Sequence, residues 1–231
     1  MRPSLVAIDG PAASGKSTLG YRLAQKWGYL FFDTGVLYRV VSLAALERGV
    51  SIDDEVGLTE LAEAIDIDVT PPTRDDGRFN TVLLDGRDVT WDIRTPAVDA
   101  IVSPVSAVRG VRRALIEQQR RIGRRGRVIM VGRDIGTVVL PEADLKLFVE
   151  ASLEVRARRR FLEATERGER VTFEHVCDEM RRRDERDRTK PISPLVAAAD
   201  AVVLDTTALD VDGVVAQVEA LVSRRSEETA T

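Results

Sequence analysis

Residues Gly10 to Thr18 read G-P-A-A-S-G-K-S-T and follow directly on the apolar run Leu5-Val6-Ala7-Ile8. The pattern G-x-x-x-x-G-K-[ST], placed after a strand and before a helix, is that of a phosphate-binding P-loop. Gly10 and Gly15 let the backbone curl so that successive N–H groups face an anion, with Pro11, Ala12, Ala13 and Ser14 forming the arc between them. The helix beginning near Lys16 adds the positive end of its dipole. Lys16 is expected to bridge the β- and γ-phosphates of a nucleotide, Ser17 to offer its hydroxyl to Mg²⁺, and Thr18 to complete the nucleotide-binding stretch.

Four further constellations suit a second, smaller phosphorylated substrate. Asp33-Thr34-Gly35 opens a helix carrying Tyr38 and Arg39, so an anion there meets a hydroxyl and a guanidinium together. Gly132-Arg133-Asp134 follows the apolar strand 128–131, at the carboxyl end where open parallel sheets bind ligands. Ser103 and Arg112 flank a helix expected to begin after Ser103-Pro104. Arg183, Asp187, Arg188 and Lys190 end a charged helical pair that carries Arg156 and is suited to act as a lid, because an arginine fork clamps phosphate and its face stacks on a base. Each has a plainer structural role open to it: Thr34 and Ser103 as helix N-caps, Asp134 as a turn residue, Arg112 as a surface charge.

These residues need a scaffold, and the apolar runs at 5–8, 29–32, 128–131, 145–149 and 201–204 supply one. Separated mostly by helical patterns, they predict an α/β fold with three layers, a five-stranded parallel sheet between helices. Helices are expected at about 36–48 (closed by Gly49), 152–168, 173–187 and 210–224, with Arg225 to Thr231 as a frayed tail. Residues 66–70 alternate, Pro71-Pro72 interrupts, and 79–84 and 87–90 flank an Asp85-Gly86 turn, which predicts a small antiparallel hairpin insertion. The expected organisation is one domain over 1–231, with a substrate-binding insertion at about 62–96 and a lid at about 155–190.

Composition narrows the function classes. The chain has 231 residues and a net charge of −4, against a general affinity for nucleic acid. Charge is segregated: 51–100 holds thirteen acidic residues and four arginines, while 109–127 holds eight arginines and Glu117. Such runs usually form solvated helix faces. With Cys177 the sole cysteine and His175 the sole histidine, a disulfide, a zinc cluster and a Ser-His or Cys-His centre are not expected. No apolar run reaches the roughly 20 residues that span a membrane, and Met1 leads straight into the first strand, so a cytoplasmic protein without membrane partners is expected.

The segments I-D-G-P-A-A-S-G-K-S-T (8–18), F-D-T-G-V-L-Y-R (32–39), D-G-R-D-V-T-W-D-I-R-T (85–95), G-R-D-I-G-T-V-V-L-P (132–141) and R-D-E-R-D-R-T-K-P-I-S-P-L (183–195) together resemble the bacterial cytidylate kinases. The resemblance runs from Ile8 to the final helix. It implies transfer of the γ-phosphoryl of ATP to CMP or dCMP, with Mg²⁺, by a monomer. It further implies that Thr34, Tyr38 and Arg39 meet the monophosphate, with Arg39 and Arg133 on its phosphate. Ser103, Arg112 and Asp134 would read cytosine, and Arg183 with Asp187 would hold the ribose. Lys16, Arg133, Arg183 and Lys190 would neutralise charge in the transition state. Three positions depart from the family pattern: Thr34 replaces a frequent serine, Lys190 a frequent arginine, and Val131 a frequent acidic residue, for which Asp9 is the candidate substitute near Mg²⁺. The alternatives are a kinase for another small molecule or nucleoside monophosphate, or a P-loop nucleotide switch protein.

Overall fold

Each apolar run bounded by turn residues forms a strand, within one residue of the expected limits. The computed structural model describes residues 2–189 and 193–228. In chain order the elements are β1 (Leu5–Asp9), α1 (Lys16–Trp27), β2 (Leu30–Asp33), α2 (Gly35–Arg48), α3 (Glu55–Ala64), β3 (Ile67–Thr70), β4 (Thr81–Leu84), β5 (Arg87–Asp88), α4 (Pro96–Ala107), α5 (Arg109–Gly123), β6 (Val128–Gly132), β7 (Leu145–Glu150), α6 (Leu153–Glu166), α7 (Phe173–Thr189), β8 (Val202–Asp205) and α8 (Val211–Glu228). Five parallel strands in the order β2-β6-β1-β7-β8 form the sheet of a three-layer α/β fold, and β3-β4-β5 form a small separate sheet. The chain divides into two compact units, Met1–Tyr29 with Ile129–Thr231, and Leu30–Val128. The three-stranded sheet, where the sequence predicts a small antiparallel hairpin insertion at about 62–96, is one part of the second unit.

In the first unit β1 pairs in parallel with β7, Ile8 opposite Leu147 and Asp9 opposite Phe148, and β7 pairs with β8. Val6, Ile8, Met130, Leu147 and Val149 are buried there, as continuous apolar strands covered on both faces must be. Helices α6 and α7 pack on each other through Ala157, Val176 and Met180, with Phe161, Phe173 and Cys177 around them. Cys177 thus serves as a small apolar filler. The final helix runs to Glu228 rather than ending near 224. Ala-, Val- and Glu-rich residues carry it through Arg225, because no glycine or proline stops it.

The second unit carries the antiparallel sheet, with Ile67 opposite Leu84 and Leu84 opposite Arg87. Asp85 and Gly86 both have positive φ, 50° and 81°, which matches the right-handed twist of a tight hairpin. Arg78 knots this sheet together. Its Nε and Nη2 donate to Asp76 at 2.7 and 2.6 Å and its Nη1 to Asp88 at 2.7 Å, while only 2% of its side chain is exposed. The hydrogen bond from Arg78, then that from Trp91, holds the Asp76 carboxyl well below the usual range.

The segregated charges meet again in the fold: Arg121 of α5 and Arg125, two residues beyond its end, pair with Asp66 and Asp68 at 2.7 Å each. Two expectations are corrected here. Helix α3, capped by Asp54, lies where the sequence reading placed no helix. The helix expected after Ser103-Pro104 instead begins at Pro96, the favoured first helical position for proline, and contains both residues. Pro104 removes one hydrogen bond near the helix end, and the break falls at Val108, which is extended. Ser103 is therefore a mid-helix residue, and Arg112 belongs to a second helix.

Candidate functional site

The P-loop leaves β1 in an unusual backbone course. Gly10, Ala13 and Gly15 all have positive φ, 153°, 57° and 91°. A Cβ on Gly10 would overlap the carbonyl oxygen of Val149, so β7 passes too close for any side chain there. At Gly15 the left-handed turn starts α1, whose first turn carries no acidic residue and whose end receives no side-chain cap. Those N–H groups are therefore oriented for an external anion. Lys16 Nζ donates to the carbonyl of Pro11 at 3.0 Å, so the ammonium lies over the loop. This donor set fits ATP. For Mg²⁺ it offers the Ser17 hydroxyl, and among the described residues no group of three or more His, Cys, Asp or Glu forms a cage. Magnesium commonly takes one or two protein oxygens and otherwise phosphate and water, so the residues fit an ion that arrives with the triphosphate.

Asp9 is buried, and both its oxygens are occupied by backbone: Ile135 N donates to Oδ1 at 2.8 Å and Gly136 N to Oδ2 at 2.7 Å. These residues open a single π-helical turn over Ile135–Val139. Asp9 thus ties the P-loop strand to the turn after Asp134. Burial is the largest influence on its carboxyl and pushes it up to about 6, against the opposing effect of the two N–H groups. The native state holds this proton more tightly than the unfolded chain. The associated stability is complete below the ordinary value of 3.8 and is lost as pH rises through about 6. In nucleotide-free, Mg²⁺-free urea unfolding, Asp9→Asn is expected to be less stable throughout. Its difference from wild type should narrow between pH 4 and 6.5, with a slope of up to about 1.4 kcal/mol per pH unit. A pH-independent difference would contradict this.

At the end of β6, Arg133 donates through Nε to Asp187 Oδ2 at 2.5 Å, and Asp187 is buried on α7. Arg183 lies one turn earlier on α7. Burial first and the like charge of Arg133 second lower its pKa, while Asp187 acts against them. Three expected residues, Arg133, Arg183 and Asp187, are therefore brought together with one net positive charge. Asp134 is buried beside them in sequence. Arg156 is also buried, its Nη1 and Nη2 bound to Asp184 at 3.1 and 2.6 Å, its Nε to the carbonyl of Ala151, and its Nη1 to that of Ala12 at 3.3 Å. This arginine, expected at ATP, is held as a strut between α7 and the P-loop. Lys190 lies outside the described residues.

In the second unit, the Arg112 guanidinium stands 5.7 Å from the centre of the Tyr38 ring, a cation–π distance. Arg39 pairs with Asp99 at 2.7 Å and donates to the carbonyl of Ile93 at 3.0 Å. Thr34 is buried at the start of α2, where its side chain makes no capping bond; Asp33 instead accepts from Gly35 N at 3.0 Å. Ser103 is exposed on α4. For Arg94, in the 85–95 segment, partial desolvation first and the like charge of Arg39 second lower the pKa. Asp33 acts in the opposite direction. The sequence signal was an arginine directly before Thr95-Pro96, where a helix begins.

The cytidylate kinase profile matches residues 6–224. The chain is 52% identical over 204 residues to a cytidylate kinase of Chloroflexus aggregans, covering 87% of this chain and 86% of that one. It is 46% identical over 222 residues to a cytidylate kinase of Carboxydothermus hydrogenoformans, covering 96% and 98%. A crystal structure of shikimate kinase from Bacteroides thetaiotaomicron aligns over 94% of this chain and 97% of that one, with a TM-score of 0.50 at 10% identity, a likeness of fold alone. With a phosphate cradle at its first βα turn and a profile match that spans nearly its whole length, this chain belongs to the cytidylate kinase family.

Proposed function

We propose that the protein transfers the γ-phosphoryl group of ATP to CMP or dCMP, giving ADP and CDP or dCDP. The observation that carries this reading is the P-loop geometry, with three positive-φ residues, an uncapped helix start and Lys16 over the loop, in a chain of this family. Phosphoryl transfer asks little covalent work of a protein. It requires that two polyanions be aligned and that spreading charge be neutralised. The loop N–H groups and Lys16 hold the donor phosphates. Arg39 and Arg133 hold the acceptor phosphate, and Arg183, Asp187 and Lys190 hold the ribose side and the lid end. Mg²⁺, when bound, neutralises phosphate charge, and Ser17 is the residue that would hold it. Action as a monomer in the cytoplasm belongs to the same proposal, as do a substrate-binding role for the 62–96 stretch and a lid role for α6 and α7. No helix among the described residues is long and apolar enough to cross a membrane.

Cytosine is read by hydrogen bonding. The Asp134 carboxylate accepts from the N4 amino group, Arg112 donates to O2 or N3, and Ser103 adds a hydroxyl. Uracil presents O4 where cytosine has the amine, leaving the carboxylate facing an acceptor, a mismatch that sites of this kind reject strongly. Asp134→Asn is expected to lower kcat/KM for CMP by about ten- to a hundredfold and to raise the relative rate with UMP, since an amide can also donate. Equal losses on both substrates would remove Asp134 from base recognition. Chromatography of the products tests the reaction itself. Equimolar ADP and CDP from ATP and CMP supports it, whereas ADP and inorganic phosphate, formed equally without CMP, contradicts it.

A further inference from the structure

Four consecutive carbonyl oxygens of the P-loop are each held by a side-chain donor. Lys16 takes Pro11 at 3.0 Å, Arg156 takes Ala12 at 3.3 Å, Arg159 takes Ala13 at 3.4 Å, and the Thr206 hydroxyl takes Ser14 at 2.9 Å. In a loop whose N–H groups bind an anion, holding the carbonyls fixes the peptide planes and so the direction of the N–H groups, and three of these four carbonyls are held by side chains that the phosphates do not need. Arg159 and Thr206 have no role in the substrate sets above, yet they form one unit. Arg159 Nη1 donates to Thr206 Oγ1 at 3.2 Å and Nη2 to the Thr206 carbonyl at 2.9 Å. The Thr206 backbone N–H is fixed on the carbonyl of Glu150 at 2.8 Å, which ties this unit to the end of β7. Thr206 is 4% exposed, so its hydroxyl has no ready exchange with water.

The backbone explains why such pinning is needed. Ala13 sits at φ 57°, a left-handed conformation that an alanine adopts only when its surroundings hold it. The residue on either side of that peptide is restrained by Arg156 and Thr206, and Ala12 and Ala13 also pack against the apolar cluster of α6 and α7. We propose that Thr206 and Arg159 are positioning residues for the nucleotide site: through the carbonyls of Ser14 and Ala13 they keep the P-loop N–H groups facing the donor phosphates. This rests on the reading that the P-loop takes the phosphates of ATP. Neither side chain is required to touch nucleotide.

The test uses the full chain as wild type and as Thr206→Val, Thr206→Ser, Arg159→Met and Arg159→Lys. Two readouts are taken, amide hydrogen exchange of the nucleotide-free protein over residues 10–15 and calorimetric binding of Mg-ADP. Thr206→Val removes the hydroxyl's hydrogen bond to the Ser14 carbonyl and the one it accepts from Arg159 Nη1; the orphaned Ser14 carbonyl corresponds to weakening of about tenfold in ADP affinity. Exchange at 10–15 should quicken, KM for CMP should stay within about twofold, and Thr206→Ser should restore both readouts. Arg159→Met should repeat the pattern more weakly, and it carries the test if the valine variant does not fold. Unchanged exchange with unchanged ADP affinity overturns the proposal. So does weakened ADP binding by Arg159→Met with unchanged exchange, which would make Arg159 a direct nucleotide contact. Failure of wild type to bind Mg-ADP would instead strike at the nucleotide reading beneath it.

Discussion

Lys16→Met is expected to lower kcat with CMP by about 10²–10³-fold while leaving the fold intact, because it deletes a preorganised cation from the place where charge builds on the transferring group. The ammonium rests 3.0 Å from the Pro11 carbonyl over the loop, so it needs little rearrangement to meet phosphate. Methionine keeps the length of the stem and loses the charge. Thermal unfolding should change little, since Lys16 is not part of the buried core. The split between kcat and KM is the informative reading. An interaction made mainly in the transition state costs kcat, whereas uniform binding costs only KM. A variant with wild-type kcat and a raised KM for ATP would demote Lys16 to a ground-state contact.

Arg133→Met carries a loss of comparable size, about 10³-fold in kcat, the range found when an arginine that stabilises a phosphoryl transition state is removed. Asp187 accepts from Nε of Arg133, and the two terminal nitrogens are those a bidentate phosphate contact uses. The ion pair thus aims the fork rather than consuming it. Arg133→Lys should recover only part of the loss, because an ammonium cannot pair with Asp187 and offer a planar fork at once. Removal of Arg133 also relieves Arg183 of a like charge, so Arg183 should bind Asp187 more firmly and stability should fall little. If Arg133→Lys matched wild type, charge alone would suffice and the geometric account of this residue would fail.

The P-loop was legible because its chemistry is written in contiguous residues: two glycines at fixed spacing, a lysine and a hydroxyl between a strand and a helix. Strands at 5–9, 128–132 and 145–150 were legible for a related reason, since burial on both faces leaves uninterrupted apolar runs. What stayed hidden depends on distance along the chain. Thr206 lies 192 residues from Ser14 and 47 from Arg159, so no local pattern announces their hydrogen bonds. Arg156 is expected at ATP, and an arginine on a charged helix carries no sign in the sequence of the Asp184 carboxylate that pairs with it. Ser103-Pro104 misled for a local reason. A serine before a proline is a good helix start, but Thr95-Pro96, eight residues earlier, is another, and the apolar residues Val98 and Val105 needed one continuous helix to reach the core together.

Whether this P-loop serves transfer to a cytosine monophosphate is decided by a single panel of acceptors. ADP formation from ATP and Mg²⁺ would be followed with CMP, dCMP, UMP, AMP or GMP, and with no acceptor. Rapid turnover is expected with CMP and dCMP, at least about a hundredfold lower kcat/KM with UMP, and only background with the rest. Comparable turnover without an acceptor, or preference for a purine monophosphate, would contradict it.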